Sequence, residues 1–298
     1  MKEVIITARD GYKLLLNIYE VENPKAVIQV AHGMEEHQGR YKEFADKLNA
    51  AGYTVVSADM RGHGRLAKSY GYFKKTEGYN ELVADHVKVA NFIKTEYKGL
   101  PLYLFAHSMG SIIARVVLQK YSKKYDKVVL SGYPNYRTAA KLGIILTDTL
   151  TAKYGAKFKT KLLTNLEFKF FNFMVWNPKT KVDWIAYNKA AIDEYLNDPL
   201  CGKGFTSSGF SDLFHLVVQM NKVKDYKNVN KNLKLLFIRG VNDVSTGGKL
   251  GSNHSVEIMK KAGFTSITKF DYEHCRHEVI REVFKDRVFE DIINFYDN

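Results

Sequence analysis

The sequence predicts an α/β chain in which a mostly parallel sheet carries helices on both faces and one helical segment interrupts the order. Three observations predict it. Short apolar runs such as AVIQVA (26–31) and LYLF (102–105) are nearly free of polar alternation, the pattern of strands buried on both faces. Longer stretches with apolar residues at helical spacing separate them, as the crossovers of a parallel sheet require. That rhythm stops between residues 136 and 231, where LGIILTDTL, FKFFNFMVW and FSDLFHLVVQM are all helix-like and aromatic.

In chain order, residues 3–8 and 13–19 flank the turn Arg9-Asp10-Gly11-Tyr12 and read as a hairpin. Residues 26–31 form a buried strand, followed by a helix over 41–51 that Gly52 stops. The strand over 53–58 opens onto the glycine-rich loop Asp59-Met60-Arg61-Gly62-His63-Gly64. Leu82, Val83, Val87, Ala90 and Ile93 share one face of a helix over 79–97. The strand over 102–105 ends abruptly at Ala106-His107-Ser108-Met109-Gly110, and 111–121 is helical again. Residues 127–130 make a sixth strand. After the interruption, LKLLFI (233–238) resumes the alternation, with a helix over 255–262, a strand over 267–270 and a final helix over 279–295. The expected division is a core of 1–135 and 232–298 and a cap of 136–231. Ligands of open α/β sheets bind beyond the strand C-termini, so a cap inserted after the sixth strand stands over the binding edge. A packing elaboration without a role in substrate choice is the alternative.

Composition narrows the class. A 298-residue chain with 45% hydrophobic and 26% charged residues is that of a globular protein. No run approaches the ~18 apolar residues of a membrane span, and the segment MKEVIITARDGYKL lacks a secretory pattern. Cys201 and Cys275 are far apart and without metal-ligand spacing, which fits free thiols in a reducing compartment. The expectation is a soluble cytoplasmic protein. The net charge of +13 is basic, but no arginine stripe, zinc-finger spacing or RNA-binding aromatic motif accompanies it, so no nucleic-acid partner is expected. An anionic lipid surface, or a diffuse lysine-rich face without a partner, remains.

Ser108 lies at a strand-to-helix turn with small residues, Ala106 and Gly110, two positions to either side. Strand and helix nearly touch at such a corner, which presents the hydroxyl at the sheet's C-terminal edge. A serine hydroxyl needs a base, and the base needs an orienting acid. Asp243 follows the strand LKLLFI directly, at the same edge. His274 and His277 both follow the strand over 267–270, so the residues alone leave two candidate bases. Acyl transfer also needs donors for the developing oxyanion. In His32-Gly33-Met34-Glu35-Glu36-His37, Gly33 permits a sharp turn that aims the Met34 N–H; the Met109 N–H, at a helix start, is the second donor. The spacing of His32, Glu35, Glu36 and His37 matches no H-E-x-x-H pattern, and neither metal nor cofactor is expected.

HGMEEHQGRY (32–41), DMRGHG (59–64), AHSMGS (106–111), Asn242-Asp243, His277-Glu278 and NDPLCGKGFTSSGFSDLF (197–214) together resemble the monoacylglycerol lipase and lysophospholipase branch of the α/β-hydrolases. The resemblance runs over nearly the whole chain. It implies the α/β-hydrolase fold with an eight-stranded sheet, a triad of Ser108, Asp243 and His277, and an oxyanion hole at Met34 and Met109. It therefore chooses His277 over His274. Ala106 and Ser111 stand where the family usually has glycine, and Val244 where a proline is common. The implied activity is that of a serine carboxylic-ester hydrolase acting through an acyl-enzyme. In residues 136–231 basic side chains outnumber acidic ones and interleave with Leu142, Ile144, Ile145, Phe168, Phe170, Phe171, Phe173 and Trp176. That mixture suits an amphiphilic monoester such as a monoacylglycerol or lysophospholipid, with transient contact to an anionic lipid surface. A short-chain or aromatic esterase is an alternative. So is a proline-type aminopeptidase of the same fold, in which Glu35 or Glu36 would bind the substrate amine.

Overall fold

The computed structural model describes residues 1–160, 163 and 171–298. Eight strands form a single sheet: β1 Lys2–Thr7, β2 Lys13–Tyr19, β3 Val27–Ala31, β4 Thr54–Ala58, β5 Leu102–His107, β6 Lys127–Ser131, β7 Lys234–Gly240 and β8 Ser266–Tyr272. Their order is β1-β2-β4-β3-β5-β6-β7-β8. The β1–β2 hairpin and the β2–β4 pair are antiparallel; every other pair is parallel. This is the mostly parallel eight-stranded sheet that the sequence predicts.

Side chains of successive strand residues face opposite sides of the sheet, and two separate apolar cores result. Along β5, Leu102, Leu104 and Ala106 enter one core, while Tyr103 and Phe105 enter the other. The first core is covered by α2 (Gly78–Glu96) and α3 (Met109–Tyr121), the second by α1 (Lys42–Ala50) and α8 (Lys285–Asp297). Both faces of β5 are therefore dry, which is why its sequence shows no polar alternation.

The strand order sets the position of the site. β3 lies between β4 and β5, so the chain leaves β3 toward one side and returns on the other. The loops after β3 and β5 diverge at that point and leave a crevice at the C-terminal edge. Met34 belongs to the first loop and Ser108 to the second.

Between β6 and β7 the described residues contain helices and no strand: α4 (Ala139–Tyr154), α5 (Lys189–Asn197) and α6 (Ser207–Met220). α6 packs on α2, α3 and α4, and its Phe210, Leu216 and Met220 join the first sheet core. A smaller cluster of Val182, Ile185, Ala186, Ala191, Ile192, Tyr195 and Cys201 holds the α5 region. Of the apolar residues expected to line this segment, Leu142, Ile145, Phe173 and Trp176 are exposed, whereas Phe168 and Phe170 lie outside the described residues.

After β7 come α7 (Gly248–Lys261), then β8 and the last helix. That helix begins later than the apolar spacing suggests. A short 3-10 turn, Val279–Arg281, is followed by Glu282 in extended backbone, and α8 starts at Lys285. The Glu282 carboxylate accepts the N–H groups of Tyr187, Asn188 and Arg276, contacts that a continuous helix would not offer. Among the described residues no helix is long and apolar enough to cross a membrane.

Candidate active site

Ser108 sits between β5 and α3 with φ 51° and ψ −118°, a backbone conformation that costs a non-glycine residue about 1–3 kcal/mol. Its surroundings hold it there. The Ser108 N–H donates to Ser131 O at 2.9 Å, and Ser108 O accepts both the N–H of Ser111 (2.9 Å) and its hydroxyl (2.7 Å). Ser111, which stands where a second glycine is common, thus ties down the turn. At Gly110 a Cβ would come within 2.5 Å of Ala31 O and 2.7 Å of His32 O, so the close approach of α3 to β3 demands glycine. Ala106 is fully buried in the first core and its single methyl is accommodated.

Asp243 and His277 meet Ser108 from two other strand ends. The Ser108 hydroxyl is 2.8 Å from His277 Nε2, and His277 Nδ1 is 3.0 Å from Asp243 Oδ2. A carboxylate only accepts, so Nδ1 carries the proton and Nε2 presents its lone pair to the serine. Burial works against a charged imidazole here, but the Asp243 carboxylate and its hydrogen bond outweigh it and hold the His277 pKa above the ordinary value. Burial likewise opposes the Asp243 carboxylate; His277 and the hydrogen bonds from its side chain and from Ser245 keep its pKa below the ordinary value. His274 is exposed and in left-handed backbone (φ 53°). Its ring takes no part in these contacts.

The loop after β3 is built more elaborately than its glycine suggested. Gly33 is not the bend: it keeps an ordinary φ, and its role is space. A Cβ there would come within 2.7 Å of Glu36 Oε1 and 3.1 Å of Ser108 Cβ. The left-handed residue is Glu35, with φ 55°. His32 accepts the Met60 N–H at Nε2 (2.9 Å), so its Nδ1–H donates to Gly33 O (2.7 Å). Gly33 C=O and Met34 N–H belong to one trans peptide and point in opposite directions. Holding the carbonyl with His32 therefore aims the Met34 N–H the other way. The flanking donors are committed inside the protein, Gly33 N–H to Glu36 Oε1 and Glu35 N–H to His63 Nε2. Met109 is the first residue of α3, where a backbone N–H has no intrahelical acceptor.

Three buried charges join this loop to the histidine loop. Arg40 donates to Glu36 Oε2 at 2.7 Å and to both Glu278 oxygens at 2.7 and 2.8 Å. Glu36 also accepts the Tyr41 hydroxyl at 2.8 Å. Burial would raise both carboxylates, but the Arg40 charge keeps each below its ordinary range. Glu35 is different. It too is buried, but it forms no ion pair among the described residues, and burial, only partly offset by the Gly204 N–H and the Lys159 and Lys181 charges, pushes its pKa up to about 7. Its carbonyl instead accepts the Gly202 N–H (3.0 Å) and the Tyr195 hydroxyl (3.2 Å).

The β6–β7 segment also grips the histidine. Glu278 N–H donates to Ile185 O at 2.7 Å, and the Trp184 ring lies 4.7 Å from the His277 ring. The His107 ring also lies 4.7 Å from it, kept neutral by a pKa that burial lowers to about 4. Among the described residues one trio, His37, Asp198 and Cys201, has potential metal-binding atoms within 4.8 Å of one another. The His37 ring is already occupied: Nδ1 accepts the Gly39 N–H, so Nε2–H donates to Asp198.

Comparison with known proteins places the chain. The family described as Hydrolase_4, serine aminopeptidase S33, matches residues 22–283. The chain belongs to that α/β-hydrolase family. Within the S33 family it is similar to mouse monoglyceride lipase, with 28% identity over 92% of this chain and 82% of that protein. It also matches the monoacylglycerol lipase of Mycolicibacterium smegmatis at 32% identity over 41% of this chain and 43% of that protein. Human monoglyceride lipase is 36% identical over 35% of this chain and 34% of its own length. Two of these three matches thus span less than half of the relative. Among solved structures, a carboxyl esterase from Bacillus coagulans superposes with a TM-score of 0.91 at 23% identity, covering 99% of this chain and 97% of that one. A soluble variant of Saccharomyces cerevisiae monoglyceride lipase gives 0.74 at 18%, covering 99% and 94%. At such identities the superpositions establish the fold.

Proposed function

We propose that this S33-family member is a serine carboxylic-ester hydrolase that works through an acyl-enzyme on lipid-like monoesters, monoacylglycerols and lysophospholipids first. The observation that carries the reading is the relay of 2.8 and 3.0 Å from Ser108 through His277 to Asp243, with the Met34 and Met109 peptides beside it. Ser108 Oγ attacks the ester carbonyl while His277 Nε2 takes its proton. The oxyanion accepts the Met34 and Met109 N–H groups, the second backed by the α3 dipole. His277 then passes the proton to the departing alcohol, and water repeats the sequence to release the acid. Asp243 fixes the imidazole tautomer and stabilises its charged form. Gly33, Ala106 and Gly110 leave room for the loops to converge.

The choice of a lipid-like ester draws on the resemblance to monoglyceride lipases and on residues 136–231, taken as a cap. There Phe173 and Trp176 stand in solvent among an excess of lysines, a composition suited to anionic amphiphiles and to brief residence on an anionic lipid surface. Cys201 and Cys275 are buried and form no disulfide, which fits a cytoplasmic setting. One observation favours a second reading. Glu36 is taken up by Arg40, but the Glu35 carboxyl forms no ion pair among the described residues and could receive the amine of a peptide substrate in a proline-type aminopeptidase.

A fluorophosphonate probe should label the protein, and Ser108→Ala should abolish labelling without changing Tm; persistent labelling would move the nucleophile elsewhere. A panel of p-nitrophenyl esters from short to long chains, run beside monoacylglycerol, lysophospholipid and a proline anilide, ranks the substrates. Preference for the anilide would transfer the protein to the peptidase class.

A further inference from the structure

We infer that Ser245 is a fourth member of the relay, a positioning residue that gives the His277 Nδ1–H a second acceptor; this rests on the triad reading above. Ser245 lies in the 3-10 turn Val244–Thr246 that follows Asp243, and it is buried. Its hydroxyl oxygen is 2.7 Å from Asp243 Oδ1 and 3.1 Å from His277 Nδ1. The same Nδ1 is 3.0 Å from Asp243 Oδ2. The carboxylate has no proton to give, so the Ser245 hydroxyl donates to Oδ1 and turns its lone pairs toward Nδ1. The imidazole proton faces two oxygens side by side, one on a charged group and one on a neutral group bonded to that same charge.

Two consequences follow from this arrangement. Nδ1–H, hydroxyl and carboxylate close a small hydrogen-bonded ring that resists rotation of the imidazole about its Cβ–Cγ bond. The negative end of the hydroxyl dipole is the end nearer to His277, so it stabilises the imidazolium formed when Ser108 gives up its proton. No net proton passes through Ser245. The turn does not need the hydroxyl: the Ser245 N–H caps Asp243 Oδ1 at 2.9 Å, Thr246 Oγ1 donates to Asp243 O at 2.8 Å, and Ser245 O accepts the Asn135 N–H at 3.1 Å. The other titratable groups around His277 are His107, which burial holds neutral, and Glu278 and Glu36, which share Arg40.

The test uses the full chain with p-nitrophenyl butyrate as probe, comparing Ser245→Ala, Ser245→Thr and Ser245→Cys. In Ser245→Ala, kcat should fall about tenfold with KM unchanged, a fraction of the roughly 10²–10⁴-fold that the general base as a whole contributes. The acid limb of kcat/KM should move down by roughly half a pH unit as the imidazolium loses an acceptor. The low-field Nδ1–H proton resonance should shift with it. Ser245→Thr should restore both rate and limb. Ser245→Cys, a near isostere with a weak donor, should fall between, and it serves where alanine prevents folding. Wild-type kcat in the alanine variant, or a slower enzyme with an unmoved acid limb, overturns the inference. Failure of the underlying triad reading is distinguishable, because wild-type protein would then escape fluorophosphonate labelling at Ser108.

Discussion

The sheet core and the segment between β6 and β7 spend apolar residues in opposite ways. In the core, Leu104, Phe105, Val128, Val129, Leu236 and Phe237 are wholly buried, and β5, β6 and β7 each feed two dry layers. In the other segment, α6 turns its apolar face into the first core, but Leu142, Ile145, Phe173, Met174 and Trp176 remain exposed. Burial of a large apolar side chain contributes roughly 1.5–3 kcal/mol, and these exposed residues forgo it. The difference teaches that the core's apolar pattern is explained by folding. The exposed stretch of the other segment is not, since those side chains stay in solvent among the described residues.

The largest break in this comparison lies where the core carries charge. Arg40→Met would leave Glu36 and Glu278 buried without their partner. Stability should fall by about 3–5 kcal/mol in urea titration, and activity should go with it. Arg40→Lys should recover only part of the loss, since an ammonium cannot reach both carboxylates in bidentate fashion. Retention of wild-type stability in Arg40→Met would refute the bridge as the tie between the two loops.

Glu35 sharpens the contrast at the border, where the loop after β3 meets the β6–β7 segment. Its folded pKa, about 7, is raised above the ordinary carboxylate value by burial. The stability it allows is therefore full below the unfolded pKa and lost as pH rises through about 7. Glu35→Gln should match wild type near pH 4 and exceed it by about 3 kcal/mol above pH 8. A constant gap across that range would contradict the burial of an ionising group.

For the reaction itself, His277 must be neutral to act as base, and its pKa is held above the ordinary histidine value. Hydrolysis should rise about tenfold per pH unit on the acid side, with a midpoint above ~6.5. A midpoint below that would place the base elsewhere. The smallest effect on stability belongs to the exposed stretch. Phe173→Ser combined with Trp176→Ser should change unfolding free energy by no more than about 0.5 kcal/mol and leave turnover of soluble p-nitrophenyl acetate intact. Hydrolysis of monoacylglycerol in anionic vesicles should drop several-fold. Equal loss on both substrates would return these aromatics to a packing role.

The sequence alone determined the order of strands and helices, the place where the alternation stops, and which residue types stand at the ends of β3, β5, β7 and β8. These are legible because period, turn chemistry and residue type are local properties of the chain. What brings Ser108, Asp243 and His277 within hydrogen-bond reach is sheet register, which no local pattern encodes. Tertiary structure alone decided that Glu35 rather than Gly33 takes the left-handed backbone, and that His32 orients the Met34 peptide. It also decided that Arg40 meets Glu278 across 238 residues and that Ser245 stands beside Nδ1. Each of those depends on which groups the converging loops leave unsatisfied, and only the assembled sheet edge determines that.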